Sequence, residues 1–245
     1  TCMKAAQVLL SLYAIKLGAE PFAIGVLFAT YAVFPMLLSW QVGKLADRFG
    51  ARWPLTFGAA CGAFGPLLPY FLPGLPALYV ASASYGLLHA FTNVCLQNLV
   101  GLLSKPMDRA ANFSNLSLVV SSTMFLGPLL SGFSIDYSGH ALSCLYLALL
   151  SFIPVVMLAV WGGALPTGLR RASTTGSIQT LLAGSGLWRV LATCSIVMAG
   201  TDLFQFYFPI YGHGIGLSAS KIGIVLAMFA VAGFVVRVVL LRLIN

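Results

Sequence analysis

The chain has 245 residues, of which 60% are hydrophobic and only 7% are charged. Soluble domains carry about 25% charged residues, so this composition excludes a water-soluble globular protein and indicates an all-α integral membrane protein. The net charge of +8 does not indicate nucleic-acid binding, because the bases are concentrated in a few short loops.

Apolar runs separated by turn-forming residues predict eight membrane spans, of which the first is incomplete. The uncharged run after the second span is too long for one crossing, and the turn residues of "FLPGLP" (71–76) divide it. The predicted spans are 1–17, 21–42, 54–71, 77–103, 110–135, 141–164, 189–211 and 220–241. We expect the chain to be truncated at both ends, since it shows no initiator methionine and its first apolar segment is short.

A polar stretch rich in Gly, Ser and Thr separates the sixth span from the seventh. It predicts three units: a six-helix bundle at 1–165, a cytoplasmic linker at 166–188, and the first two helices of a second bundle at 189–245.

The bases in the loops predict the orientation of the chain. The loops after even-numbered spans carry Lys44, Arg48, Arg52, Lys105, Arg109, Arg170, Arg171, Arg189 and Arg242. The loops after odd-numbered spans carry only Lys16 and Lys221. Because short cytoplasmic loops are enriched in Lys and Arg, we expect the 2–3, 4–5 and 6–7 loops to be cytoplasmic in a multi-pass protein of the inner (plasma) membrane.

An internal repeat links the start of the chain to its end. The segments "LGAEPFAIGVLFATYAV" (17–33) and "IGLSASKIGIVLAMFAV" (215–231) align without gaps at an offset of 198. The pairs Gly18/Gly216 and Gly25/Gly223 are identical. The eighth span is therefore the counterpart of the second, and a six-span unit begins again at the seventh span. Parallel repeats around a midplane site are a transporter architecture.

The five cysteines, Cys2, Cys61, Cys95, Cys144 and Cys194, are scattered and mostly lie in apolar runs. Their spacing fits neither a zinc site nor a redox pair, so we interpret them as small buried side chains. We expect no metal, no cofactor and no enzyme site.

The charged stretch "GKLADRFGAR" (43–52) resembles the signature of the major facilitator superfamily, which lies between the second and third spans. The matching residues are Gly43, Leu45, Ala46, Asp47, Arg48, Gly50 and Arg52. Ala51 departs from the pattern, where a base is common. The resemblance, to bacterial-type members, implies a helical bundle of twelve helices that works as a monomer. About eight of those helices are present in this chain.

The resemblance also implies a latch between the two halves of the transporter. Gly43 would allow close helix packing, and Asp47 would face helix N-termini or positive groups of the other half. Arg48 and Arg52 would bind carboxylates or lipid phosphates. Gly50 completes this motif, and Arg237 in the eighth span would snorkel or join the latch. The alternative is a loop that serves only to set orientation.

A second segment, "TMFLGPLLSG" (123–132), partly resembles a glycine–proline motif of drug/proton antiporters. Gly127, Pro128 and Gly132 match, whereas Thr123 and Ser131 replace glycines. The motif implies a kinked helix with a close-packing face. The alternative is an ordinary proline-containing helix. Such antiporters often have an arginine in the fourth span, but this chain has Ser82 at the corresponding position. The sequence therefore does not support a mechanism that depends on that arginine.

Polar residues inside the spans are the candidates for binding a solute or a proton. Asp202 is the best of them, because an ionisable side chain deep in a membrane is costly and usually serves transport. It could instead form a structural pair or lie nearer an end. His89, Asn93 and Gln97 share one face of the fourth span, which either lines the cavity or bonds to other helices. Gln205 and Tyr207 could contribute from the seventh span.

These features predict a secondary transporter that moves a small organic solute by alternating access, with proton-coupled efflux as the leading function. Proton-coupled uptake is the first alternative. A transport-inactive membrane receptor or scaffold is the second.

Overall fold

The computed structural model describes residues 1–164 and 185–244, and the side-chain surroundings within 1–163 and 188–236. All regular secondary structure in this part is helical, which confirms the all-α prediction. The helices are α1 (Cys2–Lys16), α2 (Pro21–Phe49), α3 (Arg52–Phe64), α4 (Leu67–Phe71), α5 (Leu75–Leu103), α6 (Arg109–Trp161), α7 (Ser185–Gly214) and α8 (Ala219–Ile244), with a 3-10 turn at Gly162–Ala164. Most of the predicted linker at 166–188 lies outside the described residues.

Within the described residues, five helical stretches are long and apolar enough to cross a membrane. They are Pro21–Phe49, Leu75–Leu103, Arg109–Trp161, Trp188–Gly214 and Ala219–Val236. The remaining predicted spans are occupied by α1, which has 15 residues, and by α3 and α4, which follow each other along one predicted crossing.

Helix α6 has 53 residues and contains two of the predicted spans. Gly139 has a non-helical backbone (φ 80°, ψ 172°) and separates a first arm from a second. The Ser134 hydroxyl donates to the Ser143 hydroxyl over 2.7 Å, although nine residues of continuous helix would separate them by about 13 Å. The chain therefore reverses at Gly139, between the predicted fifth and sixth spans.

The third predicted span is not one continuous helix. Helix α3 ends at Phe64, and α4 starts at Leu67. Pro66 lies between them and has no backbone N–H to continue the hydrogen-bond ladder.

The internal repeat is reproduced in backbone hydrogen bonds. Gly18 and Gly216 both have positive φ, 76° and 80°, and follow the ends of α1 and α7. The N–H of Gly18 bonds to the carbonyl of Ile15, and that of Gly216 bonds to the carbonyl of His213. The next residue bonds five positions back in both turns, as in a Schellman motif. The two turns therefore have the same geometry at matching positions of the α1–α2 and α7–α8 pairs.

Helix α1 lies at the centre of the bundle and contacts α5, α6 and α7. Nine of its residues, including Leu9 and Leu12, are buried. On its neighbours, Gly86 of α5 allows a close approach to α2, because a Cβ there would be only 2.5 Å from the carbonyl oxygen of Tyr31. This packing holds Tyr31 next to α1, where the polar residues of the bundle converge.

Candidate functional site

A polar cluster joins α1 to α7 in the middle of the bundle. The Lys4 ammonium group donates to the side-chain oxygens of Gln7 and Gln205, each at 3.0 Å. Gln7 is one helical turn further along α1, whereas Gln205 belongs to α7 in the second half of the repeat. Lys4 therefore connects the two halves of the protein through a hydrogen bond.

Asp202 lies on the same side of α7 as Gln205, one turn before it. Lys4 contacts Gln205, so Asp202 is one helical turn away from the point where Lys4 meets α7. The side chain of Asp202 is exposed in the described structure. A basic residue of α1 and an acidic residue of α7 thus occur at one contact between the two helices.

His89 on α5 completes the cluster. Its Nδ1 atom lies 3.4 Å from the sulfur of Met3, and its ring packs against Tyr31 with centroids 5.6 Å apart. The cluster combines an ammonium, a carboxylate and an imidazole. Groups of this kind inside a membrane bind ions, protons or polar parts of a solute.

Three predicted residues do not join this cluster. The Gln97 amide donates to the side-chain oxygen of Asn93 over 2.7 Å, and both side chains are exposed. Tyr207 is 59% exposed and stacks on Tyr211, with ring centroids 6.4 Å apart. Their role in binding a solute stays a prediction.

Lys4, Gln7 and Tyr31 were not predicted from the sequence. Lys4 could have been selected as a candidate site residue, because it is a lone base within an apolar segment, three residues before a glutamine. No local pattern indicated Tyr31, since its position next to His89 depends on the packing of α2 against α5.

The signature loop lies at one end of the bundle. Asn98 of α5 donates to the Asp47 carboxylate over 3.1 Å. Gly50 has φ 80° and ends α2. Arg48 lies over the ring of Phe49 at 5.1 Å. A Cβ on Gly43 would meet only Val94, at 3.9 Å, so its close packing on a neighbouring helix stays a prediction.

Arg52 binds within the first half. Its guanidinium donates to the carbonyl of Ala159 over 3.5 Å, near the end of α6, where carbonyls lack helical partners. A Cβ on Gly162 would lie 2.7 Å from the Nε atom of Arg52. Arg52 thus ties the signature loop to the end of α6. The side chain of Arg237 lies outside those that the structure describes.

The glycine–proline segment of α6 faces other helices on two sides. A Cβ on Gly127 would lie 2.8 Å from the Cβ of Lys4, and one on Gly132 would lie 2.5 Å from the carbonyl oxygen of Ala219. Gly223 of α8 packs directly on the carbonyl of Pro128. This segment is therefore a close contact between α6 and α8.

Comparison with known proteins gives a family match over the whole chain. Residues 2–245 match the model described as Major Facilitator Superfamily. Human solute carrier family 67 member A1 is 32% identical over 147 residues. The quinolone resistance protein NorA of Staphylococcus aureus (strain MRSA252) is 23% identical over 208 residues. The class H tetracycline resistance protein of Pasteurella multocida is 29% identical over 116 residues.

The match to the human solute carrier covers 58% of this chain and 34% of that protein. The match to NorA covers 82% of this chain and 52% of that protein. The match to the tetracycline resistance protein covers 47% of this chain and 29% of that protein. The chain thus spans at most about half the length of these relatives.

Two solved structures share the fold. A nucleoside transporter NupG aligns with TM-score 0.60 at 13% identity, over 84% of this chain and 54% of that one. A peptide transporter POT in complex with alafosfalin aligns with TM-score 0.56 at 18% identity, over 82% of this chain and 46% of that one.

Proposed function

Because the chain belongs to the major facilitator superfamily, we propose that it is part of a transporter that exports a small organic solute in exchange for protons. Members of the family are transporters and not enzymes. The two halves of the repeat would rock around a site between them and expose it to one side of the membrane at a time.

The polar cluster between α1 and α7 is the observation that supports this proposal most. Lys4 bonds to Gln205 across the two halves, and Asp202 and His89 contribute a carboxyl group and an imidazole, the side-chain types found in the proton relays of transporters. A site on the boundary between two moving bodies is made and broken when they rock. Binding there can consequently be coupled to the movement.

The names of two relatives favour export of drug-like molecules. One is a quinolone resistance protein and another is a tetracycline resistance protein. We therefore propose an amphipathic organic solute, with protons as the coupling ion. In this proposal the complete protein is a monomer in the plasma membrane, with the 2–3, 4–5 and 6–7 loops in the cytoplasm.

Flux measurements on the complete protein test this function. The protein is reconstituted in liposomes that contain a pH-sensitive dye, an acidic interior is imposed, and norfloxacin, tetracycline or ethidium is added outside. We expect at least one solute to accumulate while the interior becomes more alkaline, faster than in protein-free liposomes. Solute and protons that move in the same direction would show a symporter instead. No flux of any solute would favour a receptor or scaffold.

A further inference from the structure

We propose that the cluster between α1 and α7 binds a zwitterionic aromatic solute, with a carboxylate on Lys4 and a protonated amine on Asp202. This inference rests on the transport function proposed above and names its substrate class.

Lys4 is the positive end of this site. Its ammonium has three N–H groups, and two of them are bonded to neutral amide oxygens of Gln7 and Gln205. Among the described residues, no carboxylate lies within ion-pairing distance of it. A cation inside a membrane is costly when only neutral groups solvate it, so an incoming carboxylate would replace a weaker partner with a charged one.

Asp202 is the negative end. Its side chain is exposed, and no hydrogen bond satisfies its carboxylate in the described part of the chain. A protonated amine and a proton would compete for this carboxylate. Such competition is what exchange of solute for protons requires.

Aromatic rings flank this contact between the helices. Tyr31 and His89 pack together, and His89 contacts Met3, the residue before Lys4. Phe28 meets Phe206 edge-to-face with centroids 4.8 Å apart. Phe28 is one turn from Tyr31 on α2, and Phe206 is adjacent to Gln205 on α7. Rings in these positions provide apolar and stacking surface for the body of an aromatic solute.

The test compares probes that differ in one charge. Norfloxacin has a carboxylate and an amine, its ethyl ester lacks the carboxylate, and ethidium has a positive charge but no acid. We expect Lys4→Met to reduce norfloxacin transport by the complete protein about tenfold or more, the size of a lost charged hydrogen bond. Transport of the ester and of ethidium should stay within about twofold.

Lys16→Met is the matched control, because Lys16 is an exposed base at the other end of the same helix. It should leave transport of all three probes unchanged. Retained ethidium transport also shows that Lys4→Met folds. An equal loss of norfloxacin and ester transport would overturn the substrate class, and so would a wild-type protein that moves ethidium but not norfloxacin. A wild-type protein that moves none of the probes would overturn the transport function itself.

A second inference comes from a different repeat. The segments "GKLADRFG" (43–50) and "GFSIDYSG" (132–139) share glycine, aspartate and glycine at an offset of 89. The pairs are Gly43/Gly132, Asp47/Asp136 and Gly50/Gly139. The last glycine of each segment has φ 80°, with ψ 167° in one and 172° in the other, and each lies where a long helix turns into the next.

The two segments lie at opposite ends of the bundle. Asp47 bonds to Asn98 near the end of α5. Arg109 at the start of α6 donates to the carbonyl of Gly101, which is also near the end of α5. From there the first arm of α6 runs about 40 Å before it reaches Asp136. Asp136 is thus on the far side of the membrane from Asp47.

Asp136 binds the N-terminus of α8. One carboxylate oxygen accepts the backbone N–H of Ser220 at 2.9 Å, and the other accepts that of Ala219 at 3.2 Å. These N–H groups have no partner within the helix, and the positive end of the helix dipole favours a carboxylate. Gly132 allows the approach, because its Cα lies directly against the backbone of Ala219 and Ser220. The contact joins the first half of the chain to the second.

We propose that Asp136 is a latch that keeps this end of the transporter closed and is released when the solute site opens toward this side. The glycine, aspartate and glycine of the signature loop thus recur at the opposite end of the bundle, where they form a second latch. A helix-capping side chain contributes about 1 kcal/mol, which is enough to shift the populations of two states severalfold.

Spin labels at positions 22 and 215 of a cysteine-free complete protein report this movement, since Phe22 and Ile215 are exposed and belong to different halves at this end. We expect Asp136→Ala to raise the ratio of long to short label distances about fivefold. Asp108→Ala is the matched control, because Asp108 makes no side-chain cap at the start of α6. An unchanged distance distribution, or an equal shift in the control, would overturn the latch.

Discussion

Replacement of Asp202 by asparagine is expected to abolish proton-driven accumulation of solute, with a fall of about 10- to 100-fold. Asparagine has nearly the same shape, but it carries no negative charge and exchanges no proton. Asp202 lies one helical turn from Gln205, which Lys4 contacts, so its loss removes the negative end of the cluster. The measurement is accumulation driven by a pH gradient in liposomes that contain the complete protein.

Glu20→Gln serves as the matched control for this variant. Glu20 is an acid at the start of α2, outside the cluster, and its substitution should leave accumulation unchanged. The elution profile and melting temperature of Asp202→Asn should match those of the wild type, because its side chain is exposed. Wild-type accumulation in Asp202→Asn would show that this residue neither couples protons nor binds the solute.

Replacement of Gly223 by leucine is expected to separate α8 from α6 and to destabilise the protein. Gly223 packs on the backbone carbonyl of Pro128, which is held within α6 and cannot move aside as a flexible side chain could. Overpacking at such a contact costs about 1–3 kcal/mol, and we expect a lower melting temperature in detergent as well as loss of transport.

Gly233→Leu is the control for this substitution. Gly233 lies ten residues further along the same helix, and a Cβ there would meet nothing within 4 Å. The same side chain is therefore added to the same helix without a clash. If both variants melt at the same temperature and transport equally well, the α6–α8 contact does not need a glycine.

The sequence predicted the fold well because lipid imposes simple rules. Only a helix satisfies its own backbone in a membrane, so apolar length and turn residues are sufficient to place the spans. The positive-φ glycines at 18 and 216 lie at matching positions of the 17 aligned residues from which the repeat is inferred. The break at Pro66 was missed because proline is common inside membrane helices, and Pro35, Pro128 and Pro154 do lie within continuous ones.

The site was predicted only in part, since residues from distant parts of the chain form it. Asp202 and His89 could be selected one at a time, because each is an ionisable residue in an apolar run. The residues that contact them could not be predicted in this way. The contact of Lys4 with Gln205 joins residues 201 positions apart, and no local pattern predicts such a pair. Asn93 and Gln97 lie on the expected helix face but bond to each other.

The contact of Arg52 with the end of α6 has a mechanical consequence. Arg52 starts α3 beside the signature loop, and Ala159 and Gly162 lie where the first half of the chain leads into the segment that continues to α7. When the signature loop shifts, it pulls on the point from which that connection starts. The signature loop is thus tied to the start of the connection between the two halves, so a movement of either one is transmitted to the other through Arg52.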